Sequence, residues 1–133
     1  MRVVDTTFLI DLLQGNKEAL LKSLDLDKEP IVLTTEANVY EVASGIDHAN
    51  QAKRNKSLHE LETLLSRLTV LPLDHKGALR AGEISNHLVK LGKMIDDIDC
   101  ITAGIALTNG CDTIVTRNAK HFESIDGLKV ESY

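Results

Sequence analysis

Five short runs of β-branched and aliphatic residues punctuate the chain: "RVVD" at 2–5, "PIVLT" at 30–34, "TVLPL" at 69–73, "DTIVT" at 112–116 and "LKVES" at 128–132. Such runs, too short for helices and too apolar for an alternating strand with one wet face, suit strands buried on both sides. Between them lie segments with helical spacing. "FLIDLLQ" follows the first run behind Thr6 or Thr7 as a cap and stops at Gly15. "EANVYEVASGI" follows the second, with Thr35 as its N-cap. Leu58, Leu61, Leu65 and Leu68 form a stripe, for which core packing outweighs a dimer face. Asp74 opens a helix carrying Ala81, Ile84, Leu88 and Leu91 on one face, closed by Gly92, and a further helix runs to Gly110. Strands alternating with helices predict a parallel sheet covered on both faces, an α/β sandwich. The strand order stays open.

The whole chain of 133 residues reads as a single domain, 1–133, long enough to bury roughly two-thirds of its surface. No apolar run reaches 18 residues, and the start has no charged leader with a small-residue cleavage site. A cytoplasmic protein with no membrane span is therefore expected, its Cys100 and Cys111 reduced and buried or near the surface. The net charge of −5 argues against a broad electrostatic grip on nucleic acid, and four aromatics are too few for a base-stacking platform. Neither excludes a nuclease whose acidic residues are neutralised by a bound cation.

The stretch "GKMIDDIDCITAGIAL" (92–107) crowds Asp96, Asp97 and Asp99 against an apolar run. Helix capping accounts for Asp96 as N-cap and permits Asp99 at the third helical position. Asp99 fits that account less well, because its face continues through the small residues Ala103 and Ala106 and no lysine or arginine lies within a turn. An inward carboxylate needs a partner, and a cation is one candidate. Asp5 ends the first strand, where it can cap a helix or line a site, since open parallel sheets bind ligands beyond their strands' carboxyl ends. Glu41 lies two turns into its helix with Ser44 and Gly45 on the same face; alone it reads as a solvated residue. Asn118, directly after the fourth run, reads alone as a turn former. Thr6, Thr7 and Thr116 each suit a cap or a strand. None of the five histidines (His48, His59, His75, His87, His121) sits in a ligand motif, so all are read as surface residues.

Four blocks taken together resemble the PIN-domain family of metal-dependent ribonucleases, particularly the VapC-type toxins of prokaryotic toxin–antitoxin pairs. "VVDTTFLIDLL" resembles the family's start, with Asp5 as its aspartate and Thr7 as the hydroxyl residue two positions on. "ANVYEVASGI" maps the second acidic residue to Glu41, "GKMIDDIDCITAGIAL" selects Asp99, and "IVTRNAKHF" maps the last polar position to Asn118 beside Thr116. Two departures stand out: Asn118 replaces an aspartate of many relatives, which puts a second metal position in doubt, and "ITAG" replaces the commoner "IAA" wording.

The resemblance implies a PIN-like three-layer sandwich, with a central, mostly parallel sheet. It implies endonucleolytic RNA cleavage with Mg2+ or Mn2+ held mainly by Asp5 and Asp99. Glu41 and Asn118 complete the catalytic set, with Thr7, Asp96 and Thr116 in support and Asp97 a surface charge. It further implies a homodimer and a VapB-like antitoxin. A phosphate-receiving signalling domain and a haloacid-dehalogenase-like phosphatase both fail on Thr6 and Thr7, which stand where a second acid is needed. The remaining rival is a PIN-like module that binds RNA or a partner without cutting.

Overall fold

A computed structural model describes residues 1–133. Its five strands are β1 (Arg2–Val4), β2 (Val32–Thr35), β3 (Thr69–Leu71), β4 (Thr113–Val115) and β5 (Lys129–Glu131). The helices are α1 (Thr6–Leu13), α2 (Lys17–Leu26), α3 (Glu36–Ser44), α4 (Gln51–Leu65), α5 (His75–Lys90), α6 (Asp97–Thr108) and α7 (Ala119–Phe122). All four strand pairings are parallel, in the order β3-β2-β1-β4-β5. The expected sandwich is borne out, and the strand order is now fixed.

Adjacent residues of a strand point to opposite faces, and here each face has its own core. Val3 and Ile114 join Ile84, Leu88, Cys100, Ala103, Ala106 and Phe122 on the side of α5, α6 and α7. Val4 and Val115 join Phe8, Leu9, Ala19, Val42 and Leu61 on the side of α1 to α4. The leucine stripe of α4 thus packs inward, with Leu61 2% exposed and Leu65 and Leu68 against the same core. Cys100 and Cys111 are free and buried.

Three local expectations change. The cap of α1 is Asp5 rather than a threonine: its carboxylate accepts from the Phe8 amide at 3.1 Å. Leu91 lies past the end of α5 and is half exposed, outside the buried face formed by Ala81, Ile84 and Leu88. Helix α2 has no counterpart among the predicted segments. It is capped by Asn16, whose side chain accepts from the Ala19 amide at 3.0 Å. Its leucines 20, 21 and 24 face outward, so it shows no clean apolar stripe.

The chain builds outward from β1 through β2 to β3, then jumps to the other side of β1 to place β4 and β5. The reversal falls between β1 and β4, where Val4 sits level with Val115. Neighbouring parallel strands diverge in their connections at such a point, leaving a crevice at their carboxyl ends. The residues that leave those two strands are Asp5 and Thr116.

Candidate active site

Asp5 is 2% exposed, and its carboxylate is held from three directions. Thr7 donates its hydroxyl to Oδ1 at 2.6 Å, beside the Phe8 amide, and Thr116 donates to Oδ2 at 2.6 Å. Both threonines are fixed in turn by backbone: the Arg117 amide donates to the Thr7 hydroxyl at 3.0 Å and the Asn118 amide to the Thr116 hydroxyl at 2.9 Å. Thr7 and Thr116 therefore orient the Asp5 carboxylate. The Oδ2 oxygen retains acceptor capacity after its one bond. No lysine or arginine pairs with this carboxylate. Burial pushes it above the usual carboxylate range, and the hydroxyls of Thr116 and Thr7 only partly offset that.

Asp99 comes from the first turn of α6 and is 14% exposed. Its Oδ2 lies 2.7 Å from Nδ1 of His121, which α7 supplies. Burial raises the Asp99 carboxyl. Contact with His121 opposes the rise, while repulsion from Asp5 and Asp96 adds to it. Asp5, Asp96 and Asp99 therefore share one electrostatic neighbourhood. Asp96 occupies the N-cap position of α6, yet its side chain makes no capping bond. Instead its carboxylate lies with those of Asp99 and the imidazole of His121, one ligand atom from each within 4.8 Å of the others. The capping account of Asp96 is replaced by membership of this cluster. Asp97 is exposed, as expected.

Glu41 and Asn118 are not in hydrogen-bond contact with this group. Glu41 is half-buried on α3, a helix that packs against both α1 and α6. Asn118 is exposed at the start of α7, and its side chain caps nothing.

Two features had no counterpart in the sequence reading. His121 is half-buried and paired with Asp99, a correction to its reading as a surface residue. Its signal was available only in space, because it lies 22 residues from its partner. The second is Asn38, a polar side chain 1% exposed at the junction of three helices. It donates to the Thr6 hydroxyl at 3.1 Å and accepts from Thr35 at 2.7 Å and Thr102 at 3.3 Å. Each helix partner lies next to, or one turn from, an acidic residue: Thr6 beside Asp5, Thr102 three after Asp99, and Asn38 three before Glu41. Residues three apart share a helix face, so this hub fixes the rotation of α3 and α6 beneath the carboxylates. A polar residue at an inward helical position was its one sequence signal.

The donor set suits a divalent cation. Carboxylates of Asp5, Asp96 and Asp99 repel one another here, the first of them buried, and no lysine or arginine pairs with Asp5 or Asp99; hard cations take such ligands.

A family model described as the PIN domain matches residues 2–128. The chain is 25% identical over 131 residues to the tRNA(fMet)-specific endonuclease VapC of Shigella flexneri, spanning 98% of this chain and 96% of that one. It is 27% identical over 131 residues to the Ribonuclease VapC of Haemophilus influenzae, with the same coverage. Among solved structures, the DNA-bound VapBC of Salmonella typhimurium aligns with a TM-score of 0.85 at 25% identity, covering 98% of this chain and 96% of that one. VapBC2 of Rickettsia felis, bound to a promoter DNA fragment, aligns with a TM-score of 0.87 at 22% identity, covering 99% and 98%. That second likeness speaks to the fold.

Proposed function

The chain belongs to the PIN domain family, and from that premise we propose that it is the toxin ribonuclease of a VapBC-type pair, cutting RNA in a divalent-cation pocket. The observation that carries the reading is that the Asp99 carboxylate lies within repulsion range of the buried Asp5 at the end of β1, with no lysine or arginine paired to either. Asp5 and Asp99 are the principal ligands of Mg2+ or Mn2+, with Asp96 beside them. A bound cation would supply an activated water and neutralise charge developing on the scissile phosphate.

The protein's own residues set the geometry. Thr7 and Thr116 hold the Asp5 carboxylate in one orientation, so its free acceptor capacity points into the crevice rather than swinging to solvent. Glu41 lies one turn beyond Asn38 on α3, and in this reading it orients a water. The side-chain carboxamide of Asn118 is exposed and makes no capping bond, so it is free to donate to a phosphate oxygen. The guanidinium of Arg117, the residue after Thr116, is engaged by Asp11 at 2.6 Å and Glu18 at 3.3 Å, which leaves it unavailable as an electrophilic helper. The VapC names and VapBC complexes among its relatives support RNA as substrate and a VapB-like antitoxin as partner, and a homodimer accords with the family. No helix is long and apolar enough to cross a membrane; a cytoplasmic site of action is part of the proposal.

The test is RNA cleavage by metal-stripped protein given Mg2+, Mn2+ or excess EDTA, alongside Asp99→Asn with circular dichroism as the folding control. Cleavage should need a divalent ion and fall at least about 100-fold in the folded variant, since even outer-shell changes at metal sites cost roughly 10–100-fold. Cutting that persists in EDTA would overturn the reading. A second reading, a PIN-like module that binds RNA or a partner without cutting, is favoured by the amide at 118. It requires that titration find no divalent-ion uptake.

A further inference from the structure

We infer that His121 is a third ligand of the cation pocket, making it a mixed nitrogen–oxygen site that selects a first-row transition ion over Mg2+. The inference rests on the cation-pocket reading of Asp99 and goes beyond it in assigning a ligand and a class of ion.

Position comes first. His121 is carried on α7, whose neighbouring Phe122 is fully buried in the core. That anchor, with the His121 amide bonded to the Asn118 carbonyl at 3.0 Å, fixes where the ring can reach. The imidazole then stands against Asp99 with Nδ1 at 2.7 Å from Oδ2, and Asp96 completes a trio within 4.8 Å. An octahedral shell with bonds of about 2.1 Å sets adjacent ligand atoms roughly 3 Å apart and opposite ones roughly 4.2 Å apart. The His121–Asp99 contact is near the adjacent spacing, and every pair of the trio lies within 4.8 Å. A simple ion pair between His121 and Asp99 would explain the short contact but not the exposed Asp96, whose side chain stands with them and makes no capping bond.

Chemistry decides the ion. Mg2+ prefers oxygen ligands and keeps its waters, whereas affinity for a mixed nitrogen–oxygen site rises along the first row from Mn2+ through Fe2+ to Co2+. Replacing one water by His121 therefore adds binding for the transition ions and little for Mg2+. The ring also lies on the far side of Asp99 in sequence from Asp5, so it adds a ligand from a third element.

The experiment uses the full chain, stripped of metal, with Mn2+ and Mg2+ as probes. Calorimetric titration should give Mn2+ at least about tenfold tighter than Mg2+, and His121→Ala should lose at least about tenfold in Mn2+ affinity with a smaller change for Mg2+. Pulsed electron paramagnetic resonance of the Mn2+ complex should show a nitrogen coupling in the native protein that disappears in His121→Ala. Absence of that coupling in the native protein, or unchanged Mn2+ affinity in the variant, overturns the inference. If Asp99→Asn abolishes cleavage and ion uptake while His121→Ala binds Mn2+ normally, only the His121 assignment falls. If the native protein takes up neither ion, the cation-pocket reading falls with it.

Discussion

Asp5 carries its carboxylate where water barely reaches, which disfavours its charged form. Burial raises its pKa above the ordinary value, and Thr116 and Thr7 reduce the rise without cancelling it. The folded protein thus holds this proton more tightly than the unfolded chain does. Its contribution to stability is fully present below the ordinary carboxylate value and is lost as pH rises through the raised one. Asp5→Asn removes the ionisation at nearly the same shape. In EDTA at pH 7 the variant should melt above the native protein, by roughly 3–5 °C for each kcal/mol relieved, while being inactive. The gap should close as pH falls toward about 4. Thermal melts across that range check it; a variant less stable at pH 7 would mean that the hydroxyl bonds outweigh the burial. At this scale the sequence singled out Asp5, Thr7 and Asp99 through the short blocks that hold them, and the fold sets the Thr7 hydroxyl on Asp5. Asn38 and His121 escaped because their partners are brought from 22 to 64 residues away by the fold.

Helix α6 carries Asp99, so whatever sets its distance from its neighbours sets the pocket. It lies backbone-close to α5 at Gly104, where an added Cβ would stand 2.7 Å from the Ala81 nitrogen and the Gly77 carbonyl oxygen. Those are backbone atoms and cannot rotate away. Glycine to alanine in a helix ordinarily gains up to about 1 kcal/mol, but overpacking costs about 1–3 kcal/mol and occasionally more. Gly104→Ala should therefore lose about 1–3 kcal/mol in urea unfolding and weaken cation binding by shifting α6. Gly82 on the exposed side of α5 has nothing within 4 Å, so Gly82→Ala should gain about 0.5–1 kcal/mol in the same assay. Equal effects from the two substitutions would dismiss close packing as the reason for Gly104. Element boundaries followed local chemistry: Thr35, Asp74 and Gly92 marked helix ends as expected. Helix α2 was missed for a physical reason, since its exposed Leu20, Leu21 and Leu24 hide the period by which a buried face is recognised. The Gly15–Asn16 pair, a left-handed glycine followed by a capping asparagine, was the signal available.

Over the whole molecule, charge and topology act together. Fifteen basic against twenty acidic side chains leave a net charge of −5, and the fold gathers Asp5, Asp96 and Asp99 at the reversal of strand order. Folding works against this repulsion, which a cation bound as proposed would relieve. A ligand that binds only the folded state stabilises it by about 2.7 kcal/mol at a hundred times its Kd, several degrees for a domain of this size. Adding Mn2+ to metal-free protein should raise the melting temperature accordingly, EDTA should reverse it, and Asp99→Asn should abolish it. An unchanged melt at saturating ion would remove the cation from the stability of the fold.

The sequence by itself determined the alternation of buried strands and helices, hence a parallel sheet between two layers. Through four ordered blocks it also pointed to Asp5, Glu41, Asp99 and Asn118. These are properties of neighbours along the chain: periodicity, caps and the short motifs around each acid. Tertiary structure decided the strand order, which placed the end of β1 beside the end of β4 and brought Thr116 onto Asp5 across 111 residues. It also decided that Asp96 joins a cluster rather than capping its helix, that Asn38 locks three helices together, and that His121 reaches Asp99. Hydrogen bonds and charges act through space over a few ångströms, and only the folded backbone sets which distant residues come within that reach.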